Sequence, residues 1–205
     1  VQRDNGEQVS IGKANLINNF CIGIQSNEAR CTSCHAGYGW KDNDFDFSDA
    51  SLVDCLICHD NSGTYRKDTA GAGHPEASVD LMAVAQSVGR PTRQNCGYCH
   101  FRGGGGDAVK HGDLDGSMYY PTERIDVHMG RYDFNCIDCH QANDHELPGR
   151  SMSVSVSAEN RLYCTDCHDA KPHESMRLNA HTDKLACGSC HIPFYAIDAP
   201  TKMSW

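Results

Sequence analysis

Long apolar runs are missing from this 205-residue chain: no stretch of 18 apolar residues occurs, so no helix long enough to cross a bilayer is encoded. Aromatic residues are scarce at 8%, and apolar residues reach only 39%, which makes a thin protein core for one domain's length. Positive charge is the third shortage. Lys and Arg total 18 against 27 Asp and Glu, a formal net charge of −9, so nucleic acid and anionic lipid surfaces are poor partners. Any anionic ligand must be drawn by a local basic group. The first residues lack the charged-then-apolar pattern of a secretory signal. The glycine run at 103 to 106 lacks the Gly-Lys-Ser/Thr ending of a phosphate loop and reads as a turn or a close backbone approach.

What the chain holds instead is sulfur and imidazole, 13 Cys and 12 His. Twelve of the cysteines fall into six copies of Cys-x-x-Cys-His: Cys31, Cys34 and His35; Cys55, Cys58 and His59; Cys96, Cys99 and His100; Cys136, Cys139 and His140; Cys164, Cys167 and His168; Cys187, Cys190 and His191. That spacing is the attachment signature of haem c. Two thiols form thioethers to the two vinyl groups, and the next residue presents an imidazole to the iron. Zinc ribbons would use paired Cys-x-x-Cys units without needing a histidine after each, and six disulfides would have no reason to recur in this form. With 12 His in 205 residues, histidine falls by chance at all six places with a probability on the order of 10⁻⁷.

Six haems in this length leave about 34 residues for each, so porphyrin must supply much of the buried apolar matter, and the apoprotein is not expected to fold alone. The expected fold class is mainly irregular, with short α-helices and little strand, the polypeptide wrapped around a chain of haems. One multihaem unit over 1–205 is expected, with sub-clusters 1–145 and 146–205. Because haem c is attached after export, the expected location is periplasmic or extracellular, with an export signal or longer N-terminal part ahead of the sequence.

Along the chain, Leu16, Ile17 and Phe20 lead to Cys21, the thirteenth cysteine and the one outside a motif. Asp42, Asp44, Asp46 and Asp49 form an acidic loop, solvated surface rather than a calcium site on balance. The second motif runs into a Gly-Thr-Tyr turn, and a loop at 71–75 offers His74. Residues 79–88 carry apolar positions at helical spacing, stopped by Gly89 and Pro91, and Thr92 caps the helix that delivers the third motif. About 141–160, with Pro148, Gly149, Val154 and Val156, reads as a short strand or a linker between haem clusters. Six histidines close the motifs and six remain: His74, His111, His128, His145, His173 and His181. Two axial ligands on each of six irons would use all twelve, the pattern of low-spin, electron-transferring haems.

Several long stretches that reach well beyond the motifs carry a further signal. Asn18-Asn-Phe-Cys-Ile, Arg30-Cys-Thr-Ser-Cys-His-Ala-Gly-Tyr-Gly-Trp-Lys, Gly89-Arg-Pro-Thr-Arg-Gln-Asn-Cys-Gly-Tyr-Cys-His, Gly103-Gly-Gly-Gly-Asp-Ala-Val-Lys-His-Gly-Asp-Leu-Asp and His181-Thr-Asp-Lys resemble the octahaem tetrathionate reductase family of multihaem cytochromes. The resemblance covers nearly the whole chain. It departs in haem number: the family has eight sites and this chain six motifs, as expected of a family middle lacking the first and last haem segments.

The resemblance implies a catalytic haem on Cys31, Cys34 and His35, with Lys110 as distal ligand, Asp107 three residues before it and Cys21 as a free thiol nearby. Read from the residues alone, Asp107 and Lys110 share a face of a helical turn, and a surface ion pair or a structural thiol are the alternatives. A lysine amine binds iron only when neutral, far from its ordinary pKa near 10.4, so protonation would open the iron and leave a cation beside it. Such a site suits tetrathionate, nitrite or hydroxylamine, and Cys21 could attack a sulfur–sulfur bond. With Lys110 on one iron, one spare histidine is released for a haem elsewhere. The expected partners are redox cytochromes or quinol-linked donors and a small inorganic substrate. The competing expectation is a non-catalytic conduit, assembled as a homo-oligomer or extracellular filament.

Overall fold

The structure is a computed structural model that describes residues 28–42, 44–101, 114–149, 161–192, 194 and 197. Its regular elements are short: α1 (Glu28–Cys31), α2 (Leu56–His59), α3 (Leu81–Gln86), α4 (Arg93–His100), α5 (Val127–Tyr132), α6 (Cys136–Cys139), α7 (Met176–His181) and α8 (Gly188–His191). Three 3₁₀ turns join them, at Ala50–Leu52, Gly116–Tyr119 and Cys164–Asp166. Among the described residues β pairing is confined to isolated bridges such as Gly37 with Val53. The mainly irregular, helix-poor architecture matches the expectation.

Polar caps define these helices, since four to eight residues cannot hold a helix on propensity alone. The Asp80 carboxylate accepts from the amides of Met82 and Ala83 to start α3, whose Val84 is fully buried. Thr92 starts α4 as expected, its amide and hydroxyl both donating to the Asn95 side-chain oxygen. Asp126 accepts from Met129 N–H ahead of α5, and Asp138 reaches back to the Asn135 amide at α6.

The protein core is as thin as the composition requires. Ile57, Tyr65 and Val84 form it, with Ala36, Leu56, Val79 and Cys99 against its edge. Phe47, Tyr120 and Met176 meanwhile stay more than 70% exposed. Polar clamps do much of the joining. Asp60 accepts from the amide and hydroxyl of Ser62, the hydroxyl of Ser87 and the amide of Tyr65, tying the end of α2 to α3. Burial alone would raise its pKa, but these donors outweigh burial and hold the carboxyl below its usual range.

The loop at 71–75 docks backbone to backbone on residues 37–39, through Gly39 N–H to Ala72 O at 2.6 Å. Gly73 permits it: its φ is +89°, and a Cβ there would sit 2.3 Å from Gly37 O. In the acidic loop, Asp46 and Asp49 spend their carboxylates on the amides and hydroxyls of Ser48 and Ser51. The described part of the 141–160 segment is a tight turn rather than a strand, with Asn143 bridged to Glu146 and left-handed φ at Asp144 and His145. Val154 and Val156 lie outside the described residues, as do Cys21, Asp107, Lys110, His111 and the 103–106 glycine run.

Candidate haem sites

Each motif is one turn of helix. The histidine N–H returns to the carbonyl of the first cysteine at 2.8–3.0 Å in the motifs of His35, His59, His140, His168 and His191, and α4 runs through the motif of His100. One turn places residues i, i+3 and i+4 along the same side of the backbone, so two thiols and an imidazole leave together. The five-residue spacing is therefore a geometric device, complete within itself.

Thiols of different motifs also meet. Cys96 and Cys136 share a hydrogen bond that lowers Cys136 to about 7, against the effect of its burial, and with burial pushes Cys96 up. A Cys34–Cys99 hydrogen bond, aided by burial, raises Cys99. Burial first and then the neighbouring Cys187 raise Cys164. The first, third and fourth motifs thus touch in series, and the fifth touches the sixth.

Three imidazole pairs each join a motif histidine to one of the spare histidines. His59 faces His145 with ring centroids 6.4 Å apart, His168 faces His128 at 6.0 Å, and His191 faces His173 at 5.9 Å. A metal–imidazole bond is about 2.0 Å and a ring nitrogen lies about 1.1 Å from its ring centre, so two imidazoles on one metal stand about 6.2 Å apart. A direct hydrogen bond between two rings would bring them to about 5 Å. The observed separations suit an iron between each pair. They span the chain, and the His128–His168 contact crosses from one expected sub-cluster to the other.

Second contacts orient several rings. His59 Nδ1 donates to Gly89 O at 2.8 Å and His140 Nδ1 to Pro148 O at 2.7 Å, which fixes the tautomer and leaves Nε2 for a metal. Gly149, at φ +120°, lies directly against the His140 ring. The hydroxyl of Tyr38 sits 2.8 Å from Nδ1 of the spare His74. His173 Nδ1 is buried without a hydrogen-bond partner among the described residues, a state that costs about 1–3 kcal/mol and that metal ligation would relieve. Exposed apolar side chains, paired imidazoles and this orphaned nitrogen together fit a haem-loaded chain.

At the first motif, His35 meets Trp40 edge-on at 5.9 Å, and Trp40 packs with Phe45 and Phe47. These rings and Val53 line a cavity of about 210 Å³ beside the imidazole. Cys21, Asp107 and Lys110 fall outside the described residues, so this geometry concerns only the His35 side. His100 and His181 stand in α4 and α7, neither in one of the three pairs. Sequence reasoning missed the orienting groups Tyr38, Gly89 and Pro148. Only Pro148-Gly149, a turn dipeptide just beyond the fourth motif, carried a signal.

The family model described as cytochrome c7 and related cytochrome c matches residues 122–192. Over its whole length the chain is similar to a solved octahaem cytochrome c from Shewanella oneidensis, at 54% identity and a TM-score of 0.78. The fold is that of a multihaem cytochrome c. No curated protein matches this cytochrome. The chain spans 46% of the length of the Shewanella chain, so it corresponds to about half of that protein. Haem c is its cofactor, and no helix among the described residues is long and apolar enough to cross a membrane.

Proposed function

We propose that this cytochrome carries electrons through six closely spaced haems c and delivers them to a small oxidised sulfur or nitrogen compound at the haem of the first motif. The observation that carries the electron-transfer reading is the set of three imidazole pairs at 5.9–6.4 Å, each made of one motif histidine and one spare histidine. In this reading His145, His128 and His173 would help hold the haem irons of the second, fifth and sixth motifs, each with the motif histidine it meets. An iron held by two imidazoles would have no position open to substrate, which suits electron transfer. The thiol contacts between motifs support close spacing of the haem edges.

The reductive step rests on the family resemblance together with the 54% identity to the octahaem cytochrome c. Lys110 would hold the distal place at the first motif while neutral. Protonated, it would withdraw and stand as a cation to receive an anionic substrate, with Asp107 orienting the ammonium or passing its proton. Cys21 as thiolate would engage a sulfur–sulfur bond. When bound, the haems would supply the electrons and an iron at which the substrate could be reduced. Periplasmic or extracellular placement and redox-cytochrome or quinol-linked donors belong to the same proposal.

The test combines intact mass, electron paramagnetic resonance and turnover. Mass should count six covalent haems, and resonance should show mostly low-spin iron with one distinct centre. Reduced dye should be reoxidised by tetrathionate, nitrite or hydroxylamine. Lys110→His should convert the distinct centre to bis-histidine iron and abolish turnover while the other haems stay reducible. Uniform bis-histidine iron without turnover, especially with ordered polymers, establishes the conduit reading instead.

A further inference from the structure

Lys67 has a fully buried side chain, and its ammonium is completely occupied. It lies 3.0 Å from Asp54 Oδ2 and donates to the carbonyls of His35 and Gly37, each at 3.3 Å, three acceptors for three protons. Asp54 is also fully used. It accepts from the Tyr65 hydroxyl at 2.7 Å and the Leu56 amide at 3.1 Å, and its own N–H donates to Ala36 O at 2.6 Å. The pair therefore spans the end of the first motif and the start of the second. Burial and the hydrogen bond to Asp54 drive the Tyr65 phenol well above its ordinary pKa, so it stays a neutral donor.

As a source of stability this arrangement is a poor choice. Two charges removed from water are costly, and apolar residues of similar volume would hold the same backbone at least as well. What an apolar pair could not do is place a fixed cation against the His35 carbonyl with a fixed anion 3.0 Å from that cation. In a low-dielectric interior such charges act over several ångströms on a nearby redox centre.

We propose that Lys67 and Asp54 are positioning residues for the iron centre of the first motif, holding the His35 backbone in place and setting that centre's reduction potential by their opposed charges. The proposal rests on the reading that Cys31, Cys34 and His35 carry a haem. A cation near the iron favours the reduced state, which has one positive charge fewer, and an anion disfavours it. Lys67 and Asp54 therefore pull in opposite directions.

The test uses the haem-loaded protein in a redox titration followed by absorption, with covalent haem counted for each variant. Lys67→Met should lower the potential of one component and Asp54→Asn should raise that same component, with the double variant closer to the parent than either. Tyr65→Phe, which keeps both charges, should move it least. The component should be the one whose spectrum changes in His35→Met. A purely structural brace would shift both single variants the same way or leave every potential unmoved, and either result overturns the proposal. So does a shift confined to any other component. Should Lys67→Met fail to accumulate, Asp54→Asn must still raise the potential and the double variant must lie below it. A parent without haem on the Cys31–Cys34 peptide overturns the motif reading itself, a result separate from unmoved potentials at full haem count.

Discussion

Replacing Gly149 with alanine tests whether the Pro148-Gly149 turn supports His140 or merely follows it. The residue sits at φ +120°, where a side chain costs about 1–3 kcal/mol in backbone strain. The new Cβ would lie 2.9 Å from His140 Cε1 and 3.0 Å from Nδ1, so the ring or the turn must move. Either movement stretches the 2.7 Å bond from His140 Nδ1 to Pro148 O, a loss of about 0.5–1.5 kcal/mol. Together the substitution should cost about 2–4 kcal/mol. Gly63→Ala is the control, because its φ of +71° is also left-handed while nothing lies within 4 Å of its Cβ, so it should cost only about 1–2 kcal/mol. Guanidinium unfolding of the haem-loaded protein, followed at the Soret band, measures both. Weakening the carbonyl contact also makes the imidazole a poorer electron donor, so one haem potential should rise in Gly149→Ala and none in Gly63→Ala. Equal destabilisation by the two variants with unchanged potentials would refute the support.

Three further outcomes are expected. Cys21→Ser should lower tetrathionate turnover much more than nitrite or hydroxylamine turnover, measured by reduced-dye oxidation; equal loss for all three makes Cys21 structural. The ring planes of His173 and His191 are 15° apart and those of His59 and His145 72° apart, so electron paramagnetic resonance should show both a rhombic and a strongly axial low-spin signal, and His145→Ala should remove only the axial one. Asp60, with its folded pKa held below the ordinary value of 3.8, contributes stability that is present above about pH 4 and lost as pH falls through the folded value. Asp60→Asn should therefore weaken the fold at neutral pH and flatten its acid dependence below pH about 4 in denaturant titrations.

The chemistry of this cytochrome is legible in its residue order because haem attachment is local. Five residues in one helical turn contain both thiols and the imidazole, and no distant part of the chain is needed to bring them together. The same holds for Thr92, whose capping of α4 is a contact between near neighbours. Segment 141–149 is harder to read. Its proline, glycine and the valines beyond it suit a strand or linker, whereas the turn observed depends on left-handed Asp144 and His145 and on Pro148 meeting the ring of His140.

Counting six spare histidines shows how many imidazoles lie outside the motifs, but not which motif each one meets. His145 meets His59 and His128 meets His168 only through loops whose path composition does not encode. Lys67 is the extreme case. By itself it is an unremarkable lysine in a polar loop, expected at the surface, and only the packing of residues 35–37 and 54–65 around it makes it a buried cation behind His35. The attachment chemistry can be read in contiguous residues, because each motif carries both thiols and the imidazole within five positions. Which imidazoles meet, and that Lys67 is buried against the His35 carbonyl, emerges only on folding, because distance between remote groups is a property of the folded chain.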